Sequence, residues 1–117
     1  MRKMMDNIGV YVSALQESLQ KKLDVLLELL KLTKEQGAIL KEKEPDMDRF
    51  DEIIQEKAKL LDNMETLDRG FDALFAKAGD TLKNNKYEYQ TQITEMQNLI
   101  RSITDTGVQI EGQEHRN

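Results

Sequence analysis

Acidic side chains are the residues of this 117-residue chain whose types and spacing could do chemistry. Asp46, Asp48 and Asp51 lie close together, and clustered carboxylates bind calcium when a loop arranges them around the ion. An EF-hand loop that began at Asp46 would need Gly at its sixth position and an acidic residue at its twelfth. Those positions hold Asp51 and Lys57, so we expect helix capping and no metal site.

Two carboxylate pairs, Glu52 with Glu56 and Asp68 with Asp72, have the spacing of one helical turn. Such pairs act as general acid and base when they are buried beside a substrate. Charged residues make up 33% of the chain, so pairs at this spacing also arise by chance on solvated faces. Because the chain has no Cys and its single His is His115, thiol and imidazole chemistry have almost no residues to use. The sequence predicts neither an enzyme nor a bound cofactor.

The charge and hydropathy of the chain disfavour two classes of partner. The formal net charge is −5, whereas proteins that follow a phosphate backbone carry clustered Lys and Arg. The most apolar stretch, residues 23–32, contains Asp24, Glu28 and Lys31 and is shorter than the about 20 apolar residues of a membrane span. The basic start is not followed by the apolar region of a secretory signal. We therefore expect a cytoplasmic protein without nucleic-acid binding or membrane insertion.

The first part of the chain has apolar residues spaced by threes and fours, which predicts a helix over residues 7–42. The stripe consists of Ile8, Val12, Leu15, Leu19, Leu23, Leu26, Leu30, Thr33, Gly37 and Leu40. Gly37 costs about 1 kcal/mol relative to Ala inside a helix. We expect that it allows a second helix to come close.

The second part has the clearest pattern, a seven-residue repeat with apolar flanks. The repeat is Ile53, Leu60, Leu67 and Leu74, flanked by Phe50, Met64, Phe71 and Ala78 and by Ile54, Leu61 and Phe75. A face this broad fits burial between two partners. Pro45 and Asp46 are typical of a helix start and Gly79 of a helix end, so a helix is predicted over residues 46–78. The short connection predicts an antiparallel hairpin with the first helix.

The third part predicts a helix over residues 81–110, starting at Asp80 or at the Asn84-Asn85 pair, and a polar tail over residues 111–117. Its apolar stripe includes Leu82, Tyr89, Ile93, Met96, Ile100, Ile103 and Ile110, with Leu99 beside it. Few charged residues lie on this helix. It either closes a bundle or leaves its apolar seam free for a partner's helix, and the pattern alone favours the closed bundle.

The predicted fold is all-α and forms a single helical domain over residues 1–117. It consists of a long antiparallel helical hairpin and a third long helix, a three-helix bundle similar to a coiled coil.

A run in the middle of the chain combines this helical pattern with a few polar positions. It comprises Glu35-Gln36-Gly37-Ala38-Ile39-Leu40, then Asp46, Phe50, Ile53-Ile54, Glu56-Lys57 and Leu60-Leu61. The run, about half of the chain, resembles the FlgN family of flagellar export chaperones. In that family a Leu-rich helix ends in an acidic residue followed by a small residue and Leu, and the next helix has Lys before paired aliphatics. The related FliT chaperones share the size and helical plan and are the close second.

The resemblance implies a cytoplasmic chaperone with flagellar clients. Such proteins bind the helical C-terminal regions of hook-associated or filament-cap proteins, prevent premature assembly and deliver the client to the flagellar type III export apparatus. The C-terminal region is the usual client-binding part of the family, which favours partner binding by the third helix. The residues chosen from its stripe are Ile93, Met96, Leu99, Ile100 and Ile103. The alternative is a self-associating coiled coil in which the third seam closes a homodimer.

Overall fold

A computed structural model describes the backbone of residues 2–117 and the side chains of residues 8–117. Over this range the chain forms three helices and no strand: α1 (Arg2–Leu40), α2 (Met47–Asn84) and α3 (Gln90–Arg116). The Cα atoms extend over 66 × 21 × 14 Å. These features confirm the all-α, three-helix prediction. The helix α1 begins upstream of the predicted residue 7, because no helix-breaking residue precedes that position, and Met1 lies outside the described residues.

The hairpin between α1 and α2 is the turn over residues 41–46, and we call this end of the molecule the hairpin end. Asp46 caps α2, since its side chain accepts a hydrogen bond from the Arg49 backbone N–H at 3.1 Å. Asp48 lies in the first turn, where a negative charge is favourable beside the positive end of the helix. Glu35 pairs with Arg49 near the turn and Lys22 pairs with Asp68 farther along, which sets α1 and α2 antiparallel.

The helix α2 does not end at residue 78, and α3 does not begin at residue 81. Gly79 was predicted as a left-handed helix end, but no glycine in the described chain has a positive φ, and α2 continues through Gly79. A Cβ on Gly79 would lie 3.1 Å from the Phe75 ring, so the glycine makes room for that ring. The turn over residues 85–89 instead separates the helices, and we call this end of the molecule the turn end. Asn85 Nδ2 donates to the Thr81 carbonyl at 2.7 Å and closes α2.

The predicted polar tail over residues 111–117 is wrong, because α3 continues to Arg116 and its end docks on α1. Asn117 Nδ2 donates to the Thr33 carbonyl oxygen at 2.7 Å. A Cβ on Gly37 would collide with the Asn117 side chain, which confirms that Gly37 lets a second helix come close. At the other end of this seam Gln16 donates to Glu95 at 2.7 Å, so α1 and α3 run parallel.

The helix α1 lies between the other two helices and contributes most of the buried apolar side chains described. Ile8, Val12, Leu15 and Leu19 pack with Ala78, Leu82 and Met96 near the turn end. Val25, Leu26 and Leu29 form the middle of the core, and Leu32, Ile39 and Ile53 form the part near the hairpin end. The Cα atoms of α2 and α3 stay more than 8 Å apart. Both outer helices therefore pack on α1 and leave a space between themselves.

Candidate binding groove

A groove runs between α2 and α3 with α1 as its floor, and we call it the α2–α3 groove. Side chains at helical spacing line each helix, because residues three and four apart share a helix face. The α2 wall includes Ile54, Leu61, Met64, Asp68, Phe71 and Phe75. The α3 wall includes Ile93, Ile100, Ile103, Thr104, Gly107 and Ile110. The floor includes Leu19, Lys22, Leu26, Leu29 and Gln36. The groove is mainly apolar along both walls.

The α2 wall is the second of two apolar stripes on that helix. Ile53 faces α1 and is 0% exposed, whereas Ile54 is 46% exposed and lines the groove. Leu61 and Phe75 continue the groove stripe and are 52% and 44% exposed. The Phe71 and Phe75 rings are stacked with centroids 6.0 Å apart, and Phe71 also packs against the core near the turn end. Large apolar side chains left half exposed in a row are typical of a binding surface.

The α3 wall contains part of the predicted partner-binding set. Met96 is buried against α1, and Leu99 packs against the same cluster. Ile93 and Ile103 also pack there but line the groove as well. Ile100 is 47% exposed and lines the groove. The structure thus brings Ile93, Ile100 and Ile103 together along the groove and places Met96 and Leu99 in the seam with α1.

The α2 wall was missing from the predicted site. Its signal is present in the sequence, because Ile54, Leu61 and Phe75 follow the spacing of Ile53, Leu60 and Leu74 one residue later. A face this broad indicates that α2 packs against two neighbouring helices. The sequence does not show that the chain itself supplies only one of these neighbours.

Polar contacts join the two walls of the groove near the hairpin end. Lys57 Nζ donates to Gln36 Oε1 at 2.9 Å and also to the Glu114 carboxylate. One lysine on α2 therefore binds side chains of both α1 and α3, and only 14% of its side chain is exposed. This contact joins the C-terminal part of α3 to α2.

A second polar contact interrupts the middle of the groove. Asp68 has the heptad spacing of Leu61 and Phe75, and its carboxylate pairs with Lys22 Nζ at 2.8 Å. Asp72 lines the groove beside it. Asp68, one of the two carboxylates considered as an acid–base pair, is therefore already paired with a lysine.

The other carboxylate pair belongs to a cluster around Arg49. Its guanidinium binds both oxygens of Glu35, at 2.6 and 3.2 Å, and also binds Glu56 at 3.1 Å and Glu52 at 3.3 Å. The hydrogen bonds from Arg49 lower the pKa of Glu35, and the same bonds raise the pKa of Arg49. Glu52 and Glu56 thus accept bonds from an arginine that joins α2 to α1.

Residues 4–117 match the protein family described as FlgN protein. The chain belongs to the FlgN family. The match extends the resemblance from about half of the sequence to nearly all of it. No curated protein and no solved structure matches the chain.

FlgN membership makes this chain a flagellar export chaperone. The family binds flagellar proteins and is a chaperone family, not an enzyme family. In the part of the chain that the structure describes, no helix is long and apolar enough to cross a membrane. The α2–α3 groove is therefore a candidate protein-binding surface.

Proposed function

We propose that this FlgN-family chaperone binds the helical C-terminal regions of hook-associated or filament-cap proteins in the α2–α3 groove. It keeps them unassembled in the cytoplasm and delivers them to the flagellar type III export apparatus. The observation that carries the proposal is the row of half-exposed Ile54, Leu61, Phe75 and Ile100 side chains along one groove. An amphipathic helix binds such a groove with residues at helical spacing.

A client helix in the groove would complete a four-helix bundle. Packed helices lie about 8–10 Å apart, and the groove offers three helices that could surround a fourth. Ile93, Ile100 and Ile103 would contact the client from α3. Met96 and Leu99, the other predicted partner-binding residues, would support that wall through their packing on α1.

The expected binding energy suits a reversible complex. The four half-exposed groove residues each have about half of the 1.5–3 kcal/mol of full burial left to gain, and the client's matching side chains contribute a similar amount. The gross gain is roughly 6–12 kcal/mol, against about 4–15 kcal/mol for association and ordering. The difference permits binding that can be undone at the export apparatus.

The proposal is tested by two leucines that have similar exposure but lie on different surfaces of the molecule. Leu61 in the groove is 52% exposed, and Leu27 on α1, turned away from the groove floor, is 48% exposed. We expect Leu61→Asp to weaken binding of the purified C-terminal segments at least about tenfold, because a carboxylate would be desolvated in the complex. Leu27→Asp is expected to leave affinity unchanged. Titration calorimetry measures both, and circular dichroism checks their helicity.

Three outcomes would contradict the proposed function. Equal losses in the two leucine variants would place the binding surface elsewhere, and so would an Ile100→Asp variant that binds normally. A chaperone that forms stable dimers in light scattering, loses them on Leu61→Asp and binds no flagellar segment would favour the self-associating coiled coil.

In cells, Leu61→Asp is expected to reduce secretion of the hook-associated client while other export substrates are unaffected.

A further inference from the structure

Charge is distributed unevenly along the α2–α3 groove. At the turn end the charged lining residues are Lys83 and Lys86, beside Phe75, Ile93 and the 95% exposed Tyr87. Both lysines follow the apolar α2 wall directly. The turn end of the groove is therefore positively charged.

The rest of the groove is net negative. In the middle, Lys22 is paired with Asp68, which leaves Asp72 as the remaining charge. At the hairpin end Lys57 is paired with Glu114, and Glu111 also lines the groove. The charge thus changes sign along the groove axis.

Any helix in this groove has a charge difference of its own. Aligned peptide dipoles give a helix about half a positive charge at its N-terminus and half a negative charge at its C-terminus, and a terminal carboxylate adds to the latter. A helix whose C-terminal end lies beside Lys83 and Lys86 matches both ends of the groove. The reverse orientation would place like charges together at both ends.

We infer that the client helix lies parallel to α2, with its carboxylate-bearing C-terminal end at Lys83 and Lys86. The inference rests on the proposed function and adds a direction to it. In this orientation the client runs antiparallel to α3 and to α1, because those two helices are parallel to each other. The N-terminal part of the client helix lies near Glu111 at the hairpin end.

The direction also sets the order of side chains on the client. Ile54, Leu61, Asp68 and Phe75 follow one another at seven-residue spacing along the α2 wall. A parallel client would present two apolar residues, then a polar residue opposite Asp68, then another apolar residue before its acidic end. A polar residue inside an apolar seam fixes register in coiled coils.

Cross-linking tests the direction, because the natural chain has no Cys. Thr94→Cys marks the turn end of the groove and Ala58→Cys marks the hairpin end, and both residues are exposed. The probes are the C-terminal segments of the hook-associated and cap proteins. Each segment is made in two versions, one with a single Cys at its N-terminal end and one with a single Cys at its C-terminal end. We expect the C-terminal Cys to form a disulfide with Thr94→Cys and the N-terminal Cys with Ala58→Cys.

The reversed pattern, or equal cross-linking of both client ends, would overturn the inferred direction while binding that depends on Leu61 still supports the proposed function. Failure of every segment to bind would overturn both. Failure of the groove substitutions to weaken a segment that does bind would also overturn both, since the client would then lie elsewhere.

Charge reversal provides an independent test. The double variant Lys83→Glu, Lys86→Glu is expected to weaken binding roughly fivefold to tenfold at low salt, and less at high salt, because screening reduces interactions at an exposed groove end. Lys77 is exposed and does not line the groove, so Lys77→Glu tests a charge reversal elsewhere on α2 and is expected to change affinity little. Amidation of the client's C-terminal carboxylate should shrink the effect of the double variant. An effect no larger than that of Lys77→Glu would count against the inference.

Discussion

Two stripes of mainly apolar residues run along α2 at the same seven-residue spacing, and one packs against α1 while the other lines the groove. Ile53 represents the stripe that faces α1 and is 0% exposed, while Ile54 on the neighbouring stripe is 46% exposed. Apart from Asp68 in the second stripe, both stripes consist of large apolar residues. The difference arises because α1 covers the first stripe and α3 stays too far away to cover the second. The helix α2 thus presents one face that holds the fold together and another face that lines the groove in which we propose the client binds.

The largest expected effect comes from truncating each stripe at adjacent positions. Ile53→Ala is expected to lower the free energy of unfolding by about 2–5 kcal/mol, because it leaves a cavity in the core near the hairpin end. Ile54→Ala should cost less than about 1 kcal/mol, since much of its side chain is already in water. Urea denaturation followed by circular dichroism measures both values. Affinity for the client segments should show the opposite order in the variants that remain folded.

A similar loss of stability in the two variants would mean that Ile54 is buried as well. The distinction between a core stripe and a binding stripe would then be wrong.

Two glycines on α2, one away from the Phe75 ring and one beside it, are expected to differ by about 1 kcal/mol in how replacement by alanine changes the free energy of unfolding. Gly70 has open space where a Cβ would lie, so Gly70→Ala is expected to stabilise the helix by up to about 1 kcal/mol. At Gly79 the new Cβ would press on the Phe75 ring, so Gly79→Ala is expected to gain less or nothing. Denaturation curves measure the difference.

The Gly79 variant should also weaken client binding several-fold, because Phe75 would be displaced in the groove wall. Equal stabilisation by the two alanines, with unchanged client affinity, would show that the Phe75 ring yields freely and that Gly79 does not shape the groove.

The number and type of helices could be predicted from the sequence because periodicity is a local property. The seven-residue repeat from Ile53 to Leu74 and the Pro45-Asp46 break correctly gave the antiparallel hairpin. Gly79 misled the prediction of the α2 end, since a glycine that ends a helix and one that makes room for a ring are indistinguishable in sequence. The Asn84-Asn85 pair, the weaker break, lies where α2 ends.

The end of α3 depends on contacts between residues that are far apart in sequence. The polar residues after Ile110 lack an apolar stripe, but Glu114 binds Lys57 and Asn117 binds the Thr33 carbonyl. Those contacts explain why residues 111–116 continue the helix. Nothing local in this segment indicates them.

Only part of the candidate site could be predicted from the sequence, and the reason is geometric. Residues three and four apart spread around a helix, so one apolar stripe can face two neighbours. Met96 and Ile100 belong to the same stripe, yet Met96 is buried against α1 and Ile100 is exposed in the groove. Only the positions of the neighbouring helices divide such a stripe into core and binding surface.

The smallest expected effect concerns the ion pairs that join α2 to α1 beside the buried stripe. Arg49 lowers the pKa of Glu35 from its usual 4.5, so the stabilisation is complete above that value and is lost as the pH falls through the lowered pKa. Glu35→Gln should therefore flatten the decline of stability with acid, whereas Glu44→Gln in the exposed hairpin turn should not. Thermal unfolding between pH 6 and about 3 measures this, and the difference is expected to be small because exposed ion pairs are screened by water and salt.

Client binding near neutral pH should be the same in both variants, because Glu35 lies outside the groove lining. If Glu35→Gln instead weakened client binding at neutral pH as much as Leu61→Asp, the ion pairs would belong to the binding surface and the two stripes of α2 would not have separate roles.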